Sequence, residues 1–186
     1  MWNEQIIMML LEGIKDTLYM TLTSTLIGYV IGLPMGILLT VTDKDGIHPN
    51  AAVYKVLDVI ANLIRSVPFL ILLIVLIPFT RFLIGRSYGP TATIVPLVIA
   101  AAPYIARMVE SSLKEVDAGV IEAARSMGAS NFTIVTKVML VEARTSLIVG
   151  ATISLGTILG YSAMAGTVGG GGLGDIAIRY GYTRWQ

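Results

Sequence analysis

Uncharged intervals divide the chain before any motif does. From Thr17 to Thr42 no side chain ionises except tyrosine, and these 26 residues exceed the roughly 20 that a helix needs to cross a bilayer. A second apolar stretch runs from Val56 to Thr80, with Asp58 and Arg65 near its start and an unbroken apolar run from Val67 to Pro78. Ser87 to Ala106 gives a third stretch, and the fourth begins at Thr145, with its crossing part expected to end near Ala165. The pattern predicts an all-α, polytopic membrane protein with spans at about 17–42, 56–80, 87–106 and 145–165. Residues Ile6 to Leu11 are too short to span, and they read as an interfacial helix leading into the first span, with Trp2 at the headgroup level.

Between the third and fourth spans, residues 107–144 hold ten charges, five of each sign, too few residues for a domain of their own. The segment is patterned all the same. Val116, Val120, Ala124 and Met127 fall on one helical face, Gly128 supplies a left-handed C-cap position, and Ser130 or Asn131 can cap a second helix. The apolar side of that second helix is expected at Ile134, Val135, Val138 and Met139. An amphipathic helix pair tethered at both ends must lay its apolar face on the bilayer, on its own bundle or on another protein. Small side chains at Glu122-Ala123-Ala124, with Glu122 and Arg125 to fix orientation, favour another protein.

Composition supports the membrane assignment. Mean hydropathy is +0.78, 55% of residues are hydrophobic and 13% are charged, against about 25% charged in soluble domains. A net charge of +1 makes no electrostatic case for nucleic acid. The chain has no cysteine, which removes thiol and Cys-ligand chemistry. Lysine and arginine set the orientation. Eight fall on the side of residues 43–55 and 107–144 (Lys44, Lys55, Arg65, Arg107, Lys114, Arg125, Lys137, Arg144), and five on the other (Lys15, Arg81, Arg86, Arg179, Arg184). The excess puts segment 107–144 in the cytoplasm and the N-terminus outside.

Gly28, Gly32 and Gly36, and again Gly156 and Gly160, repeat at intervals of four, a spacing that lets helix backbones approach closely in lipid. Packing within the chain and contact between two copies both use such a surface. Pro34, Pro68, Pro78, Pro96 and Pro103 are expected kinks. Gly169, Gly171 and Gly174 match the dinucleotide fingerprint, but no strand precedes them and no acidic residue follows about 20 positions on. The glycine tract is either a flexible linker or a fixed turn at the outer face, beside Asp175 and Arg179 at i, i+4 and the aromatic residues Tyr180, Tyr182 and Trp185. No phosphate-cradling P-loop occurs, so this chain does not bind ATP through one. His48, the only histidine, lies in a polar turn and reads as a solvated loop residue. Asp58 and Arg65, seven apart, read as a structural pair at the end of the second span.

Glu122-Ala123-Ala124, three residues, Gly128, nine residues and Val138-Met139-Leu140 resemble the EAA loop of ABC importer permeases. Val138 stands in place of the usual isoleucine, and Val141 in place of the usual closing proline. Arg65-Ser66-Val67-Pro68-Phe69-Leu70-Ile71-Leu72-Leu73, the glycine-rich block Gly160 to Asp175, and Ile176 to Tyr182 narrow the resemblance to the methionine-import branch. The resemblance implies a single permease domain over 1–186, a type I importer-like bundle in a bacterial inner membrane. It implies a homodimer in which each copy carries an ATPase subunit and substrate arrives from an extracytoplasmic binding lipoprotein.

On that resemblance Glu122, Ala123, Ala124, Arg125 and Gly128 are the ATPase-coupling residues. Met164 matches a methionine near the dimer axis that helps close the pathway, and Tyr161 is placed with it. No enzyme activity, cofactor or metal site is expected of the chain itself. The family pattern has one more span after the fourth, which would follow Gln186. Nothing in the residues themselves specifies methionine. Another amino acid or small solute, or an ion-coupled secondary transporter with ionisable groups at mid-membrane, are the competing readings.

Overall fold

Helices join through short turns in the computed structural model, which describes residues 4–183, and no strand occurs among them. Trp2, Arg184 and Trp185 lie outside the described residues. In chain order the α-helices are α1 (Glu4–Thr42), α2 (Ala51–Ser66), α3 (Phe69–Val75), α4 (Ile77–Ile84), α5 (Pro90–Lys114), α6 (Ala118–Ser126), α7 (Asn131–Thr133), α8 (Leu140–Glu142), α9 (Arg144–Ala165) and α10 (Gly172–Ile176). Wider π-helical turns cover Ile134–Met139 and Ala177–Thr183, and a 3-10 turn covers Gly166–Val168.

Three helices, α1, α5 and α9, are long and apolar enough to cross a membrane, and the bent pair α2–α3 makes a possible fourth crossing. The protein is a multi-pass membrane protein. The apolar stretch of α5 is 67% buried within the chain, against 33% for α1 and 22% for α9. Thus α5 is a core helix, while α1 and α9 keep apolar faces for lipid or another subunit. Leu26, Val30 and Ile148 are among the large side chains left exposed there.

Several expectations change. Residues Ile6 to Leu11 are not a separate helix, since α1 runs unbroken from Glu4 to Thr42. At 1.5 Å per residue this is about 58 Å, nearly twice the hydrocarbon thickness. The stretch Val56–Thr80 is not one helix either: α2 and α3 meet at 102° across Val67-Pro68. Proline has no N–H to donate, and it pushes the residue before it towards extended backbone; Pro68 itself sits at φ −55°, ψ 135°. Pro34, Pro96 and Pro103, in contrast, lie within continuous helices, and Pro78 falls in the first turn of α4, where no donor is required. The helix of the third stretch continues past Ala106 to Lys114, because the charges that follow are paired along it instead of ending it.

Contacts divide the chain into two compact units, and α1, α5 and α9 contribute to both. The first comprises residues up to Gly28, Val67–Ala101 and the chain from Leu155. In it the glycine tract is a fixed turn, not a loose linker. Gly169, Gly171 and Gly172 take positive φ, which only glycine adopts freely. The Gly89 amide donates to Gly169 O at 2.9 Å, Gly170 N to Ala165 O at 3.0 Å, and Leu173 N to Thr17 Oγ1 at 2.9 Å. Arg179 pairs with Asp175 at 2.6 Å.

The second unit comprises Tyr29–Ser66 and Ala102–Ser154. Here α1 packs directly on α5. A Cβ placed on Gly32 would lie 2.6 Å from Ala102 O, and one on Gly36 would lie 2.5 Å from Ala106 O. These two glycines therefore serve packing within the chain. Gly156 and Gly160 differ, for a Cβ at either meets open space.

Candidate functional site

The charged segment belongs wholly to the second unit, and its geometry begins on α5. Arg107, Glu110 and Lys114 are spaced i, i+3 and i+7, so they share one helical face. Glu110 is buried and pairs with Arg107 at 2.6 Å and with Lys114 at 2.8 Å. Arg107 also pairs with Asp58 on α2 and donates to Asn62 Oδ1 at 3.1 Å. Lys114 reaches Asp43, just past the end of α1, at 2.7 Å. The result is a chain of alternating charge, Asp58–Arg107–Glu110–Lys114–Asp43. Asp58 is thus partnered by Arg107, not by Arg65. The hydrogen bond from the Lys114 ammonium holds the Asp43 carboxyl below the ordinary 3.8, against the opposing effect of its partial burial.

Beyond Lys114 the chain turns, and Asp117 caps α6 by accepting from Gly119 N at 2.7 Å. Helix α6 ends on Gly128 at φ +81°. Gly128 N donates to Arg125 O at 2.9 Å and Ala129 N to Ala124 O at 3.1 Å, the two bonds of a Schellman cap. Ser130 rather than Asn131 caps the second helix, accepting from Thr133 N at 3.2 Å. The π turn over Ile134–Met139 bonds i to i+5, which lets Ile134 and Met139, five apart, both be buried. One residue, Ala143 at ψ 0°, separates this helix from α9, and the i to i−4 bonds Ala143 N to Met139 O and Leu147 N to Ala143 O span it, both at 2.9 Å.

The packed face of α6 is not the expected one. Ala124 is buried and Ile121 half-buried, but Val120 and Met127 are exposed, Met127 at 82%. Phe132 is exposed as well, at 78%. Two large apolar side chains therefore flank the Gly128 turn without cover from their own chain. Periodicity shows which residues share a face, but not which face the bundle takes.

Glu122 and Arg125 line a cleft of about 730 Å³ together with Asp43, Ile47 and Lys114. Arg125 donates from its guanidinium to Ile47 O at 2.8 Å, tying α6 to the turn after α1. That turn is closed by Gly46 N to Asp43 O at 2.9 Å and His48 N to Val41 O at 3.0 Å. His48 is exposed in it. Glu122, Ala123, Ala124, Arg125 and Gly128 are thus brought together on one short helix and its cap. Tyr161 and Met164 lie in the other unit. Tyr161 stacks on Phe69, the first residue after the Pro68 break, with ring centroids 4.6 Å apart and planes at 7°. Met164 is half exposed. The motifs did not reveal the charge chain; its readable signal was the shared face of Arg107, Glu110 and Lys114. No cluster of three or more metal-ligating side chains occurs among the described residues.

Apolar helices long enough to cross a membrane, joined by a structured and charged connection, define a multi-pass helical membrane protein. Residues 8–184 match the family described as binding-protein-dependent transport system inner membrane component. The chain belongs to that family. It is 48% identical over 178 residues to a probable D-methionine transport system permease protein MetI of Vibrio cholerae, covering 96% of this chain and 79% of that one. It is 52% identical over 164 residues to the D-methionine transport system permease protein MetI of Escherichia coli K12, covering 88% and 76%. Among solved structures, an inward-facing crystal form of the MetNI methionine ABC transporter matches with TM-score 0.97 at 50% identity, over 100% of this chain and 86% of that one. The fold is that of a type I ABC importer permease. An amino acid ABC transporter shares the fold at TM-score 0.78 and 22% identity, over 98% and 82%.

Proposed function

We propose that this chain is the transmembrane subunit of an ATP-driven methionine importer. It acts as a homodimer, with an ABC ATPase on its cytoplasmic side and a substrate-binding lipoprotein outside. The observation that carries the coupling half of this reading is the capped helix pair around Gly128. It is capped at Gly128 and tied to the turn after α1 by the Arg125–Ile47 bond, yet it leaves Met127 and Phe132 uncovered. An exposed apolar pair on a fixed turn suits a groove in a partner protein. The similarity to D-methionine permeases at about half identity supports the substrate. Tyr161 and Met164 are the proposed pathway residues, and the lysine and arginine excess supports an external N-terminus.

An ion-coupled transporter is the weaker reading. The ionisable groups of α5 lie in its last turns and are spent on one another rather than left to bind an ion.

Co-purification with the ATPase, together with uptake of labelled methionine, tests the proposal. Glu122→Lys or Gly128→Leu is expected to abolish both capture and uptake, and unchanged capture would refute the coupling assignment. Because the chain has no cysteine, orientation is open to a clean test. A cysteine at His48 should react with an impermeant maleimide only after permeabilisation, and one at Arg86 should react in intact cells.

A further inference from the structure

The five-membered charge chain has no role in the sequence motifs, yet it links α2, α5 and the turn after α1. Asp58 stands on α2, Arg107, Glu110 and Lys114 stand on α5, and Asp43 opens the turn after α1. Four residues past Asp43, Ile47 O receives the Arg125 guanidinium of α6. The signs alternate along the chain, so each inner member has an opposite charge on both sides. Glu110 is 5% exposed and the Arg107 side chain 17%. At such burial an ion pair is held firmly, because parting the charges leaves them poorly solvated.

We infer that Asp43, Lys114, Glu110, Arg107 and Asp58, with the Arg125–Ile47 bond, are positioning residues that make α6 move as one body with the cytoplasmic ends of α1, α2 and α5. Force applied to α6 then reaches the spans instead of being absorbed in the turn at 43–50. This rests on the reading of α6 as the coupling helix. Asp43 and Lys114 close one end of the chain, with side chains 18% and 42% exposed, and this pair links α5 to that turn. Cutting it should let α6 respond to the ATPase while the spans lag. ATP would then be hydrolysed with less transport.

The experiment uses the full complex of permease, ATPase and binding protein in liposomes, reading ATP hydrolysed per methionine imported. Asp43→Asn and Lys114→Gln are each expected to raise that ratio about fivefold. Asp43→Glu, which keeps a carboxylate facing Lys114 and leaves Glu110 with both its cations, is expected to bring it back to within twofold of the parent. A purely structural role would lower hydrolysis and import in proportion, and an unmoved ratio overturns the inference. A ratio that rises as far in Asp43→Glu as in Asp43→Asn overturns the ion-pair assignment. Asp43→Asn removes only the outer carboxylate and leaves buried Glu110 with both its cations, so the ratio stays measurable even where Glu110→Gln yields no complex. Glu122→Lys in the same assay separates the two levels. If capture and hydrolysis survive that change, the coupling assignment has failed, whatever the Asp43 variants do.

Discussion

Arg125 holds the carbonyl oxygen of Ile47, 78 positions earlier, through a 2.8 Å bond from its guanidinium. The residue read as a contact for a partner is therefore first a strap within its own chain. The bond is solvent-exposed, so its net worth is about 1 kcal/mol. Arg125→Ala is expected to speed amide exchange at Gly46 and His48 about fivefold, with little change in the protein recovered. Exchange measured by mass spectrometry on the purified permease reads this directly. Equal protection in the variant would mean the strap does not form.

Glu110 carries the heavier load. It is buried between two cations, and removing it leaves both without their shared anion. Glu110→Ala is expected to cost roughly 3–5 kcal/mol, enough to lose most folded protein on a fluorescence size-exclusion trace. Glu110→Asp keeps the charge and should recover part of it. Full recovery of the alanine variant at the parent's thermal midpoint would contradict this.

Asp43 sets an acid limb. Its folded carboxyl titrates below the ordinary 3.8 because the Lys114 ammonium holds it. A depressed folded value contributes stability that is fully present above the unfolded pKa and is lost as pH falls through the folded one. The loss therefore lies below about pH 4, and neutral-range stability should not depend on this group's titration. Asp43→Asn should be less stable at pH 6 and converge on the parent as pH drops below 4. Parallel curves for the two proteins across that window would show that the pair contributes nothing.

The glycines of α1 and α9 predict opposite responses. Gly32→Val or Gly36→Val drives atoms into the Ala102 and Ala106 carbonyls, and overpacking of this kind costs about 1–3 kcal/mol. Gly156→Ala and Gly160→Ala meet open space and should leave the single chain intact. Crosslinking in membranes then reads the remaining question. If two copies meet at α9, the alanine variants lose dimer while keeping monomer. If crosslinking is unchanged, that contact lies elsewhere.

Much of this was legible in the residues, and the gaps have physical causes. The uncharged stretch from Thr145 gives α9, and Gly128 gives the left-handed cap, because both signals are local. Pro68 was legible as a kink but not as a 102° break, since Pro34 and Pro103 leave their helices continuous with the same local chemistry. Arg107 could be seen to share a face with Glu110. That its outer partner is Asp58, 49 positions away, follows from how α2 packs, which no local pattern encodes. Val120 and Met127 failed for a related reason: their helix is bounded by two faces that differ in what covers them, not in spacing.

The Gly128 cap yields the sharpest prediction. Its φ of +81° costs an L-residue roughly 1–2 kcal/mol, while a Cβ there meets nothing within 4 Å. The penalty is therefore one of backbone alone, and it should follow left-handed tolerance rather than size. Asn, whose short polar side chain bonds locally, should be accepted best, Ala less well, and β-branched Val worst. If the ATPase docks on this turn, each 1.4 kcal/mol lost in forming it weakens capture about tenfold. Capture of the ATPase by Gly128→Asn, Gly128→Ala and Gly128→Val should fall in that order, with Asn within about threefold of the parent. A ranking by side-chain volume, or equal loss in all three, would place the contact on the Gly128 surface itself and not on the turn it closes.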